Sequence, residues 1–255
     1  MDRDLPEEAL NGGNSSAEVV RVGDTVRRPA TAWSASVDAL LLHLESVGYE
    51  GSPRALGYDD RGRQVLSFVE GDIEPSPLDL GLARVRDVGT LVRAFHDAVS
   101  TFVPPQNAIW NVLITPDTTE IICHHDLAPW NLVRTNTTLT FIDWDGAGPG
   151  SRLWDLAYAA HGFVPMGPDA LLSDETAALR LAALVDGYGL NEIERMELIN
   201  MFEPRILSMH DFLQRAHDTG VEPWSTLWSE GHGDAWRANA LYAEQRRHVW
   251  ENALL

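Results

Sequence analysis

The sequence predicts an α+β fold of two unequal parts, a small antiparallel-sheet part and a larger, mainly helical one; three observations carry the prediction. Extended segments surround a single helical stretch over residues 8–70. A Pro- and Asp-rich crossing, DIEPSPLDLG, follows at 72–81. Beyond it apolar residues recur mostly at helical spacing, with no internal repeat and no low-complexity linker.

Taken in order, EVVRVG at 18–23 alternates as a strand, Gly23-Asp24 signals a turn, and TVRRPA resumes extended chain until Pro29 weakens it. Over 36–47, Val37, Leu40, Leu41, Leu44 and Val47 mark a helix, with Ser34 or Ser36 available as its cap and Gly48 as its stop. The run RQVLSFVEG, closed by Gly71, reads as an inner strand leading out of the small part. A division at 1–71 and 72–255 follows, with the site expected between the two. Residues 82–102 form a helix striped by Val85, Val88, Leu91, Val92, Phe95 and Val99. Short strands and turns alternate over 109–144. From Asp155 onward the pattern is helical, broken by Pro165, Pro168, Gly187, Gly189, Gly220 and Pro223.

Composition narrows the function. A net charge of −19 argues against a nucleic-acid surface or an anionic membrane, and suits a cationic partner as well as plain solubility. All 19 basic residues are Arg, so no lysine Schiff base and no P-loop lysine is available. The single Cys123, beside Ile121 and Ile122, reads as a buried thiol rather than a nucleophile. The opening MDRDLPEEAL has no apolar signal core and no run is long enough for a membrane span, which predicts a cytoplasmic protein.

The chemistry concentrates in CHHDLAPWNLVRTNTTLTFIDWDGAGPG, residues 123–150. It holds His124-x-Asp126-x-x-x-x-Asn131, with Asp143 after two short strand-like runs, LVRT and LTFI. Paired as a hairpin around Asn136 and Thr137, with Leu132 opposite Ile142, these runs bring Asn131 and Asp143 out at one end. Asp126 lies one short loop earlier. Mg²⁺ takes a few protein oxygens plus substrate phosphates, so Asn131 and Asp143 are its expected ligands. Asp126 is then the acceptor of a hydroxyl proton, which is most of what phosphoryl transfer asks of a protein.

These segments, with Trp154-Asp155-Leu156-Ala157 further on, resemble the catalytic loop and metal-binding turn of the aminoglycoside phosphotransferase family. The resemblance implies a two-lobed protein-kinase-like fold, with residues 1–71 as the nucleotide-binding lobe. It gives His124 and Asp155 supporting roles at the catalytic loop and ATP or GTP as the donor. It also implies a phosphate loop, for which GGNSS at 12–16 is the candidate, and a cation on the following strands. Val26 and Arg28 share a strand face, which favours Arg28, while a bulge would substitute Arg27. For its acidic partner Asp38 is preferred over Glu45. The run Ser67-Phe68-Val69-Glu70-Gly71 resembles the inter-lobe connector, whose backbone at Ser67 and Val69 would meet the base.

The acceptor implied is a small hydroxylated molecule, an aminoglycoside-like antibiotic above all, and the acidic region 155–255 suits a cationic one. A nucleotide-binding regulator or degenerate kinase is the alternative, on account of the missing lysine. Protein kinase activity is disfavoured, because the metal turn reads Asp-Trp-Asp and no Ala-Pro-Glu segment is visible. His161 reads as a satisfied core histidine in preference to a residue lining the acceptor pocket, and His210 with His232 lacks metal-ligand spacing.

Overall fold

The computed structural model describes residues 5–10, 19–73, 76–169 and 172–255. The candidate phosphate loop at 12–16 lies outside them. A five-stranded antiparallel sheet is built from β1 (Glu8–Ala9), β2 (Val20–Val22), β3 (Thr25–Arg28), β4 (Ala55–Tyr58) and β5 (Gln64–Ser67), in the order β1-β2-β3-β5-β4. Gly23 closes the β2–β3 turn with φ of 58°, a conformation that favours glycine. Strand β3 pairs with β5 so that Val26 faces Leu66 and Arg28 faces Gln64.

Helix α1 (Ser34–Ser46) crosses behind this sheet with Val37, Leu40, Leu41 and Leu44 fully buried. Neither predicted serine caps it. Trp33 already has helical angles at the N-cap, leaving the serine hydroxyls to other donors. Ser34 Oγ accepts from the Thr31 amide at 2.9 Å, and Ser36 Oγ from the Ile109 amide at 2.8 Å. The second bond ties the start of α1 to a loop of the larger lobe.

The chain leaves the sheet at Gly71. Strand β6 (Asp72–Ile73) already pairs with β8 (Leu132–Arg134), which pairs with β9 (Leu139–Phe141); β7 (Ile121–Cys123) pairs with β10 (Gly148–Gly150). The rest is helical: α2 (Leu82–Val99), α3 (Arg152–Phe163), α4 (Asp174–Tyr188), α5 (Glu192–Thr219), α6 (Trp224–Ser229), α7 (His232–Gln245) and α8 (Arg247–Leu254). One continuous apolar core joins α1, α2, α3, α4 and α5.

Gly187 does not break its helix as expected, because it lies inside α4. A Cβ there would collide with the Arg86 carbonyl, and one at Gly89 with the Leu184 carbonyl. The two glycines are what lets α2 and α4 touch backbone to backbone. Gly189 and Gly220 end α4 and α5 in left-handed conformations, as glycines at this position do. Pro204, by contrast, sits within α5. Among the described residues no helix is long and apolar enough to cross a membrane.

Candidate active site

The hairpin around the metal turn is shifted by one residue from expectation. Leu132 faces Phe141, not Ile142. The turn closes between Thr135 and Thr138, whose amide and carbonyl bond at 3.0 Å, so pairing across an Asn136-Thr137 turn carries this register down the strands. The Ile142 amide then donates to the Asn131 carbonyl at 2.9 Å, leaving Asp143 just beyond the last pair. Asp143 takes the left-handed conformation, φ 61°, which costs a non-glycine residue energy and persists where neighbours hold it. The next residue is the hold: Trp144 is buried, bonds the Phe141 carbonyl through Nε1 at 2.9 Å, and packs edge-on to Phe95.

Asp126 is partly open to solvent and is held by two neighbours. Its amide donates to His124 Nδ1 at 3.3 Å. Asn131 Nδ2 donates to its carboxylate at 2.7 Å and to its carbonyl at 3.1 Å. The Tyr158 phenol is a neighbour; burial first, then the negative charge of Asp126, push it well above its ordinary pKa. His124 is buried and neutral, because burial lowers its pKa against the charges of Asp155 and Asp126. Accepting at Nδ1, it donates from Nε2 to the Ile142 carbonyl at 3.1 Å, so one ring spans the catalytic loop and the metal turn.

Asp155 lies beneath both and is completely buried. It accepts from the amides of His124 at 2.9 Å and His125 at 2.8 Å, and from His96 Nε2 at 3.2 Å. Burial opposes its ionisation, yet the His96 bond and the nearby imidazoles outweigh that and hold its carboxyl far below the usual range. His125, also left-handed at φ 67°, is pinned further by Arg205, which reaches its carbonyl from α5 at 3.3 Å. The guanidinium of Arg205 lies over the rings of Tyr158 and Trp154 at 4.4 and 4.8 Å.

On the small-lobe side, Arg28 points at this cluster and Arg27 does not: Arg27 lies 3.7 Å from Asp59. Arg28 donates an end-on pair of hydrogen bonds to Asp145, at 3.0 and 2.7 Å, and stands 4.0 Å from Asp143. The preferred acidic partner, Asp38, does not reach it. Gln64 stands between, accepting from Arg28 Nε at 2.7 Å and donating to Asp38 at 2.5 Å. An arginine on β3 extends past the helix, so its charged end meets the metal turn instead of α1. Glu45 is turned away and pairs with Arg54. At the connector, the Ser67 amide and hydroxyl are both engaged with Arg54, whereas no described residue bonds the backbone of Val69. The Ser67 amide is therefore committed within the sheet.

Asp143 keeps about half of its side chain open at the cleft. Desolvation by the crowded wall and the charge of Asp145 raise its carboxyl to about 6, against the pull of Arg28. With Asp126 also close enough to raise it, three carboxylates share one small region. Asn131 Oδ1 accepts from no described residue. Hard oxygens gathered around excess negative charge fit Mg²⁺, for which Asn131 and Asp143 would be the protein ligands. Among the described residues no group of three or more His, Cys, Asp and Glu is arranged to hold a metal alone.

Comparison with known proteins fits this geometry. The model of the phosphotransferase enzyme family matches residues 50–199, which spans β4, β5, the crossing and residues 123–150. The chain belongs to this phosphotransferase family. Along the whole length it is 32% identical over 266 residues, 97% of this chain and 98% of the relative, to the trifolitoxin immunity protein of Rhizobium leguminosarum bv. trifolii. Among solved structures it resembles a choline/ethanolamine kinase family protein from Mesorhizobium loti, with a TM-score of 0.63 and 18% identity over 98% of this chain and 92% of that one. A spectinomycin phosphotransferase solved with ADP and spectinomycin matches with a TM-score of 0.59 and 12% identity over 98% and 93%. At such identities these likenesses establish the fold, a two-lobed kinase-like α+β architecture.

Four residues of this family member's site escaped the sequence reading. Tyr158 follows Asp155 by one helical turn of α3, a spacing that could have flagged it. Asp145 stands in view within Asp-Trp-Asp. Gln64 could be found only from the β3–β5 register, and Arg205 carried no signal at all. His161 is not a satisfied core residue: it stacks on Trp236 at 4.7 Å, contacts Asn239 at 3.3 Å, and its Nδ1 is buried without a partner. Cys123 is buried, with its thiol pushed up by desolvation and by Asp155.

Proposed function

We propose that this chain moves the γ-phosphoryl group of ATP or GTP to a hydroxyl of a small antibiotic-like molecule. The observation that carries the reading is the setting of Asp126: partly exposed, oriented by Asn131 at 2.7 Å, and beside the Tyr158 phenol. A carboxylate so placed receives the proton of an attacking hydroxyl. Asn131 and Asp143 would hold Mg²⁺, which when bound neutralises phosphate charge. Arg28 supplies the cation on the nucleotide side, with residues 1–71 as the donor lobe and 72–255 as the catalytic and acceptor lobe. The unengaged backbone of Val69 is the better-suited connector contact for a base.

For the acceptor, the name of the full-length relative, an immunity protein, favours a toxin or antibiotic over a housekeeping metabolite. The stack of Tyr158, Trp236 and His161, at 6.4 and 4.7 Å, offers an aromatic wall beside Asp126 for such a molecule. Burial lowers the pKa of His161 to about 4, so this wall adds no imidazolium charge at neutral pH and a cationic acceptor is tolerated. A cytoplasmic location fits the dependence on nucleotide. One observation favours the second reading, a nucleotide-binding regulator: Arg28 is already engaged by Asp145.

The test is to incubate the full chain with Mg²⁺, ATP or GTP and a panel of antibiotics and amino-alcohols, and to weigh the products. A phosphorylated acceptor is expected. Asp126→Ala should lose roughly a thousandfold in turnover while keeping nucleotide affinity. Nucleotide binding with no product from any acceptor, and no effect of Asp126→Ala, would establish the regulator instead.

A further inference from the structure

The way Arg28 is held has a chemistry of its own. Gln64 is its cross-strand partner on β5, so the two side chains leave the sheet on one face, side by side. Gln64 has no exposed surface. Its amide presents Oε1 to Arg28 Nε at 2.7 Å and Nε2 to Asp38 at 2.5 Å. Asp38, itself buried on α1, lies near the phenol of Tyr58 on β4. An acceptor at one end and a donor at the other is what an amide has and a carboxylate lacks. The guanidinium is correspondingly divided. Its side-facing N–H is gripped from within the lobe, and its end edge faces Asp145 and Asp143 across the cleft.

We infer that Gln64 is the positioning residue that makes an arginine usable as the phosphate-facing cation in a chain without lysine. The inference rests on the phosphoryl-transfer reading of the same site. A lysine carries no side-facing N–H, so the grip of Gln64 means something only for arginine. Holding Nε beforehand removes much of the rotational freedom that a long side chain would otherwise lose on meeting a nucleotide. The rival explanation is that Gln64 only satisfies the buried carboxylate of Asp38. That role is independent of what occupies position 28, and this separates the two.

The experiment is a binding cycle on the full chain, with Mg·ATP and Mg·GTP titrated calorimetrically. The variants are Gln64→Met, Arg28→Lys and their combination. Gln64→Met should raise the nucleotide Kd roughly ten- to thirtyfold, the range of a hydrogen bond to a charged group. Adding it to Arg28→Lys should raise Kd less than about twofold, and the acceptor KM should not move. An equal effect in both backgrounds, or none in the parent, overturns the inference. If Gln64→Met gives no cooperative thermal transition, Gln64→Glu with Asp38→Asn replaces it. This pair keeps an oxygen toward Nε and restores donor against acceptor, so binding within about threefold of the parent supports the inference. Weak binding by that folded variant overturns it. The underlying reading fails separately: an active Asp126→Ala ends it, whereas a dead Asp126→Ala with no coupling between positions 28 and 64 sinks the Gln64 role alone.

Discussion

In the larger lobe Asp126 is oriented by Asn131, five residues away, and by His124, two residues away. In the smaller lobe Arg28 is oriented by Gln64, 36 residues away, and by Asp145, 117 residues away. The first arrangement is a loop folded on itself over one buried ion, Asp155, and its geometry survives only if that ion is satisfied. The second is a chain of side chains handed from Asp38 to Gln64, Arg28 and Asp145, with Tyr58 beside its outer end. Local backbone bonding demands particular residues at fixed spacings. A side-chain relay demands only that donors and acceptors alternate, which is how an arginine can stand where the resemblance implies a lysine.

The contrast is easiest to break at Asp155. Asp155→Ala would leave the amides of His124 and His125 and the His96 ring without their acceptor. A loss of about 3–5 kcal/mol is expected in urea unfolding at pH 7, with turnover abolished. The native carboxyl is held below its unfolded value, so its stabilisation is complete above the ordinary carboxylate range and is lost as pH falls through and below it. The gap between parent and variant should therefore narrow at pH 3. A loss under about 1 kcal/mol would mean that the loop does not rest on this ion.

Tyr158→Phe probes the same lobe more gently. It removes the hydroxyl beside Asp126 and keeps the ring that Arg205 and Trp236 pack against. Turnover should drop about tenfold, with nucleotide Kd unchanged. A change in Kd instead would place Tyr158 on the nucleotide side and blur the division between lobes.

The same division explains what could be read from the chain. Asp126, Asn131, Asp143, His124 and Asp155 lie within one stretch whose spacing is their geometry, so the stretch declared itself. Even there the expected register is off by one residue, because a two-residue turn at Asn136-Thr137 sets Leu132 opposite Phe141. In the sheet lobe, the strand face of Arg28 was legible from alternation, but its partners were not. Asp38 was chosen from the helix position alone, and the reach of a guanidinium past Gln64 is a matter of side-chain length and register. Gly187 was misread because a glycine that admits a neighbouring helix looks, in sequence, like one that ends its own.

The smallest effect is expected at the outer end of the relay. Tyr58 is about half exposed, and its phenol, raised to about 12 chiefly by desolvation and then by Asp38, lies beside that carboxylate. Tyr58→Phe removes this half-exposed hydroxyl and leaves the bond from Gln64 to Asp38 in place. The melting temperature should stay within a few degrees and the nucleotide Kd within about threefold. Gln64→Met, two links closer to the phosphates, is expected to do several times more. Were Tyr58→Phe to weaken nucleotide binding as much as Gln64→Met, Arg28 would be held by the network as a whole rather than by its nearest neighbour. The side-chain relay would then be as demanding as the loop.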